Sequence, residues 1–116
     1  MKNQSKLSKI QINYISGKII NSAIKVHSNL GPGLLESAYE KCFIYELEKT
    51  GMDVKSQKLL PFYYDDIRID LGYRADLLVE NSILIELKSV EKISSLHIAQ
   101  LLTYLRLSNF QLGLLI

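Results

Sequence analysis

From Ser8 to Ser28 the apolar residues Ile12, Ile15, Ile19, Ala23 and Val26 recur every three or four positions, the spacing that gathers them on one side of an α-helix. Lys18 and Lys25, seven apart, fall on another face of that helix. The run Asn29-Leu30-Gly31-Pro32-Gly33 ends it, because Gly31 can take a left-handed C-terminal conformation and Pro32 has no N–H to continue the ladder. A second helix is expected from about Leu34 to Thr50, closed by Lys49 in its last turn and by Gly51 after it.

Beyond Val54 the period changes. Residues 54–64 alternate irregularly and contain Pro61, which cannot donate to a sheet ladder, so an edge strand or a broken one is predicted there. Ile67, Ile69, Leu71, Tyr73, Ala75, Leu77 and Val79 then alternate with Arg68, Asp70, Gly72, Arg74 and Asp76, and Asp65-Asp66 is the turn that joins the two runs as a hairpin. After Asn81-Ser82, the segment Ile83 to Val90 is apolar on both faces except at Glu86 and Lys88, as in a central strand covered from both sides. Ser94 or Ser95 caps a third helix running to about Ser108, with Ile98, Leu101, Leu102 and Leu105 on its apolar side and His97, Gln100 and Tyr104 on a different face. Gln111 to Ile116 reads as one more buried strand without a polar tail, as expected of a piece truncated from a longer protein. Helix, helix, three strands, helix, strand is an α/β order, with a mixed sheet and helices packed on it.

A chain of 116 residues has room for one core, so a single domain over 1–116 is expected. With 47% apolar and 22% charged residues the composition is globular, which sets disorder aside. No run approaches the ~18 apolar residues of a membrane span, and the N-terminus lacks the apolar block of a secretory signal, so a cytoplasmic address is expected and no membrane partner. Cys42 cannot form an internal disulfide and reads as buried and inert. The net charge of +2 conceals an asymmetry: residues 1–28 carry five lysines and no acid, whereas residues 29–116 carry nine basic and twelve acidic side chains. Lys18 and Lys25 are therefore candidate contacts to nucleic-acid phosphates, although a solvated lysine face has the same composition.

The chemistry lies in the second half, at Asp76, Glu86 and Lys88. Two carboxylates a few ångströms apart hold a hard divalent cation such as Mg²⁺ through oxygen. A lysine two residues beyond the second acid shares its face and can stabilise charge developing on a phosphate. By itself an acid-x-lysine pair in a strand is more commonly a salt bridge, and a metal-free structural domain containing one is the plain alternative. Convergence also has a geometric condition. A two-residue Asn81-Ser82 turn would set Asp76 opposite Leu87 and split the carboxylates between faces, so an odd-length loop or a bulge is required between Val79 and Leu84.

The segment Gly33-Leu34-Leu35-Glu36-Ser37-Ala38-Tyr39 matches the motif of the GxxExxY proteins, a branch of the PD-(D/E)XK nuclease superfamily, which the chain resembles from about residue 10 to its end. His27 and the Leu30-Gly31-Pro32-Gly33 run are similar to the lead-in to that motif. Asp76 matches the metal-binding aspartate, Glu86-Leu87-Lys88 the Glu-x-Lys element, and Gln100-Leu101-Leu102-Thr103-Tyr104 resembles the Gln-x-x-x-Tyr element of RecB-type nucleases. Ala75 departs from the pattern, standing where the name-giving proline would be.

The resemblance implies a restriction-endonuclease-like αβββαβ core with an extra N-terminal helix and a metal site at a fork between the second and third strands. It implies Asp76, Glu86 and the helix-borne Glu36 as metal ligands, Glu36 directly or through water. Lys88, Glu36 and Gln100 would be the catalytic groups, with Tyr39, Tyr104 and His27 in support. The implied activity is hydrolysis of phosphodiester bonds, in DNA by expectation, by water and with Mg²⁺ or Mn²⁺. A module that keeps the fold for DNA binding or protein interaction without turnover is the alternative. A homodimer would suit a small single-site enzyme that cuts two strands.

Overall fold

The structure, a computed structural model, describes residues 7–31, 33, 35–88, 94–108 and 110–116, with the backbone alone for residues 62, 70–73, 107 and 108. The expected contributions of Pro32, Leu34, Ser89 and Val90 lie outside the described residues, as do Lys2 and Lys6 of the basic N-terminus. The chain forms two compact units, 1–52 and 53–116.

The first unit is a pair of packed helices, α1 (Lys9–Leu30) and α2 (Glu36–Lys49). Ser8 starts α1 with a capping box: its hydroxyl accepts from the Gln11 N–H while the Gln11 side chain accepts from the Ser8 N–H. Ile19, Ser22 and Val26 are the buried residues of α1, and Phe43 and Leu47 those of α2. The helix runs two residues past the expected Ser28, and Gly31 closes it with its N–H on the His27 carbonyl at 2.8 Å. Gly31 has φ 72° and ψ −179°, a combination essentially confined to glycine. At the far end of α2 the Thr50 hydroxyl donates to the Leu47 carbonyl at 2.6 Å and Gly51 takes φ 86°. Cys42, expected to be buried, is half-buried and lines a groove of about 260 Å³ with Val26, Leu30 and Tyr45.

The second unit is a four-stranded mixed sheet with one helix: β1 (Val54–Tyr64), β2 (Ile67–Val79), β3 (Ile83–Glu86), α3 (Ser95–Ser108) and β4 (Leu112–Leu115). The strand order is β1-β2-β3-β4; the first two pairings are antiparallel and β3–β4 is parallel. As its proline predicts, β1 is an edge strand, and its register against β2 shifts between Leu60 and Phe62, at Pro61. The β1–β2 hairpin is much longer than the rest of the sheet, since β3 pairs only with Leu77, Leu78 and Val79. All four residues of β3 are buried, as its apolar pattern requires. β4, expected to be buried, is half-buried along its length because it is the other edge.

Leu60, Ala75, Leu78, Leu84 and Leu101 form one core cluster, against which Leu105, Phe110 and Leu115 pack. Gly113 sits under α3 so closely that a Cβ there would lie 2.9 Å from Leu101 and Leu105 side-chain carbons. Among the described residues no helix is long and apolar enough to cross a membrane.

Candidate functional site

Three residues, Glu80, Asn81 and Ser82, join β2 to β3, so the loop has the odd length that convergence demands. Glu80 and Asn81 both have positive φ, 53° and 51°, which ordinary side chains resist. The turn is held by its surroundings: the Glu80 carboxylate accepts from the Asp53 N–H at 2.6 Å, the Glu80 N–H donates to the Asp53 carbonyl at 2.8 Å, and Lys55 Nζ donates to Asn81 Oδ1 at 2.8 Å. With that loop Val79 faces Ile83, Leu78 faces Leu84 and Leu77 faces Ile85. The pairing ends there, one rung short of Asp76 and Glu86, which the parity of that register puts on one face of the sheet.

That rung is not an ordinary one. Asp76 Oδ2 accepts the Leu87 N–H at 2.8 Å, so a carboxylate stands where a backbone carbonyl would have bonded. On the opposite edge of the same segment the Lys88 N–H donates to the Ile116 carbonyl at 2.8 Å and the Ile116 N–H to the Glu86 carbonyl at 3.0 Å. Glu86-Leu87-Lys88 is thus fastened on both sides at the point where β3 parts from β2. The resulting fork explains why the strand ends at Glu86, although the apolar pattern continues beyond it.

Lys88 Nζ lies 3.9 Å from Glu86 Oε1, with both side chains largely withdrawn from solvent. Asp76, Glu86 and Lys88 are therefore brought together by the second unit alone. The donor set suits Mg²⁺, which is held by one or two carboxylates and leaves its remaining positions to water and substrate phosphate. Among the described residues no cluster of three or more His, Cys, Asp or Glu side chains forms. Gln100 is exposed on α3, one residue before the buried Leu101, and Tyr104, one turn on, is half-buried.

The remaining candidates belong to the first unit. Glu36 is the first residue of α2, where its charge complements the helix dipole; the N-cap residue, Leu35, makes no side-chain capping bond. Tyr39 donates its hydroxyl to the Gly31 carbonyl, and its ring stacks on His27 at 6.2 Å between centroids. His27 and Tyr39 thereby fasten the end of α1 to the start of α2, a packing role within the motif. Lys18 lies over the Tyr14 ring at 4.8 Å. Lys25 is ion-paired with Glu46 at 3.1 Å, and its hydrogen bond to that carboxylate raises the pKa of its ammonium while lowering that of Glu46. Lys25 is thus matched to a carboxylate and Lys18 to an aromatic ring.

One residue near the acids escaped the sequence reading. Gln57, in the irregular part of β1, places its side-chain amide 3.4 Å from Asp76 Oδ1. Its only sequence signal is that broken alternation.

A two-unit α/β chain that presents two acids and a lysine at a fork in a mixed sheet has a restriction-endonuclease-like fold. The chain belongs to the PD-(D/E)XK nuclease superfamily, whose family model matches residues 13–116. No curated protein and no solved structure matches it. Membership makes nucleic acid the substrate class, and nucleases of this superfamily typically use divalent metals.

Proposed function

We propose that this chain is a metal-dependent nuclease of the GxxExxY branch that hydrolyses phosphodiester bonds in DNA with Mg²⁺, or with Mn²⁺ in its place. The observation that carries the reading is the Asp76 carboxylate on the Leu87 N–H at the β2–β3 fork, with Lys88 Nζ 3.9 Å from Glu86. Asp76 and Glu86 would hold the cation. A divalent cation in such a site polarises a phosphoryl oxygen and lowers the pKa of a water. Lys88, held beside the acids by its backbone bond to Ile116, offers three N–H donors to a phosphate oxygen that gains charge as water attacks. Gln100 and Tyr104 would support substrate or solvent through hydrogen bonds from α3.

Cleavage of linear, branched and single-stranded DNA in the presence of Mg²⁺ or Mn²⁺ tests this. Asp76→Asn and Lys88→Ala are each expected to lower the rate by roughly 100-fold or more, on the scale of losing one transition-state stabiliser. Full activity of both purified variants refutes the assignment. A wild-type protein that binds DNA but neither binds metal nor cleaves is instead a nuclease-fold binding module.

A further inference from the structure

Ser56 pairs with Leu77 and Lys58 with Ala75, which sets Gln57 directly across β1–β2 from Asp76, yet these two are missing from the run of paired residues. Gln57 has φ 49°, a left-handed conformation that a glutamine in mid-strand rarely adopts. Side-chain contacts join β1 and β2 at that level. The Gln57 amide Nε2 donates to Asp76 Oδ1 at 3.4 Å, and Arg74 Nη1 donates to the Gln57 carbonyl at 3.4 Å. Since Asp76 Oδ2 accepts the Leu87 N–H, each oxygen of the carboxylate is addressed from a different side of β2.

We infer that Gln57 is a positioning residue for Asp76: the kink in β1 aims its neutral amide at the carboxylate and fixes the direction in which that carboxylate presents charge. The choice of an amide has a physical reason. An arginine or lysine there would neutralise Asp76 and compete with a cation, whereas an amide orients the carboxylate and leaves its full charge available. Arg74, on the same face of β2 as Asp76, braces the kink through the Gln57 carbonyl. The inference rests on the reading of Asp76 as a metal ligand.

Mn²⁺ binding measured by calorimetry, together with thermal melting in metal-free buffer, tests it on the wild type, Gln57→Ala, Gln57→Gly and Asp76→Asn. Both Gln57 variants are expected to bind Mn²⁺ roughly 10- to 100-fold more weakly, the usual scale for loss of a group that orients a ligand. Gln57→Gly is expected to melt above Gln57→Ala, because glycine takes a positive φ without penalty. Weakened binding in the better-melting variant separates the amide's role from stability. If Gln57→Gly binds Mn²⁺ as tightly as the wild type while Asp76→Asn does not bind, the inference is overturned and the metal site stands. Absence of Mn²⁺ binding by the wild type overturns the metal site and the inference together.

Discussion

Asp76 accepts the Leu87 N–H and, in the proposed function, also holds the metal, and a pair of substitutions separates the two. Asp76→Ala removes the acceptor of the Leu87 N–H, and Leu87 is only 6% exposed, so water cannot readily replace it. A buried donor left unsatisfied costs about 1–3 kcal/mol. For a chain of this length each kcal/mol moves the melting temperature by about 4 °C, so a fall of about 4–12 °C is expected in metal-free buffer. Asp76→Asn keeps a carbonyl oxygen for Leu87 but loses the extra strength of a charged acceptor, a deficit of about 1 kcal/mol. It also removes one of two like charges on one face of the fork, which returns roughly 0.2–1 kcal/mol. These effects nearly cancel, so the asparagine variant should melt within a few degrees of the wild type without metal. Saturating Mg²⁺ should then separate them, since ligand at about 100 times its Kd adds about 2.7 kcal/mol to a protein that binds it. Scanning calorimetry with EDTA and with Mg²⁺ provides both comparisons. An alanine variant as stable as the asparagine variant in EDTA would refute the claim that Asp76 holds the end of β3.

Two further outcomes test the packing and electrostatics away from the acids. Gly113→Ala brings a methyl to 2.9 Å from Leu101 and Leu105 carbons and is expected to lower unfolding free energy in urea by about 1–3 kcal/mol, the scale of overpacking; an unchanged midpoint would show that α3 is not seated on β4 as described. The Glu46 carboxyl is held below its ordinary value of 4.5, chiefly by its hydrogen bond to Lys25, so the stability it contributes is present above that value and lost as pH falls through the lower, folded one. Lys25 is raised above 10.5, chiefly by the same bond, so its contribution is complete below 10.5 and lost as pH rises through the raised value. Urea midpoints measured across both limbs should therefore vary less with pH in Glu46→Gln than in the wild type, and parallel curves would show the pair to be electrostatically silent.

The elements were largely legible in the sequence because their periods are clean and their ends are chemically marked. Ser8, Gly31 and Gly51 terminate helices for local reasons, and Pro61 declared an edge strand by lacking an N–H. β3 was the exception. Its pattern runs on past Glu86, and only a contact eleven residues away in sequence, from Asp76 to Leu87, ends the strand. The site followed the same division. The acids and lysine were visible as polar residues in an apolar strand, and the demand that they share a face dictated an odd loop without showing how Glu80 and Asn81 could adopt positive φ. The answer lies in bonds to Asp53 and Lys55, at the start of another strand. Gln57 was hidden for a related reason, since its interest lies in the residue opposite, which no local window contains.

The unequal strand lengths divide the second unit by rate of motion. Around Leu77 and Ile85 each amide is hemmed in on both sides, and freeing it requires the sheet to come apart. Toward its Asp65-Asp66 turn the hairpin lies beyond the reach of β3 and β4, and amides there open locally at smaller cost. Asp76 and Glu86 stand at the boundary between these regimes, where a strand paired on both sides gives way to a two-stranded ribbon.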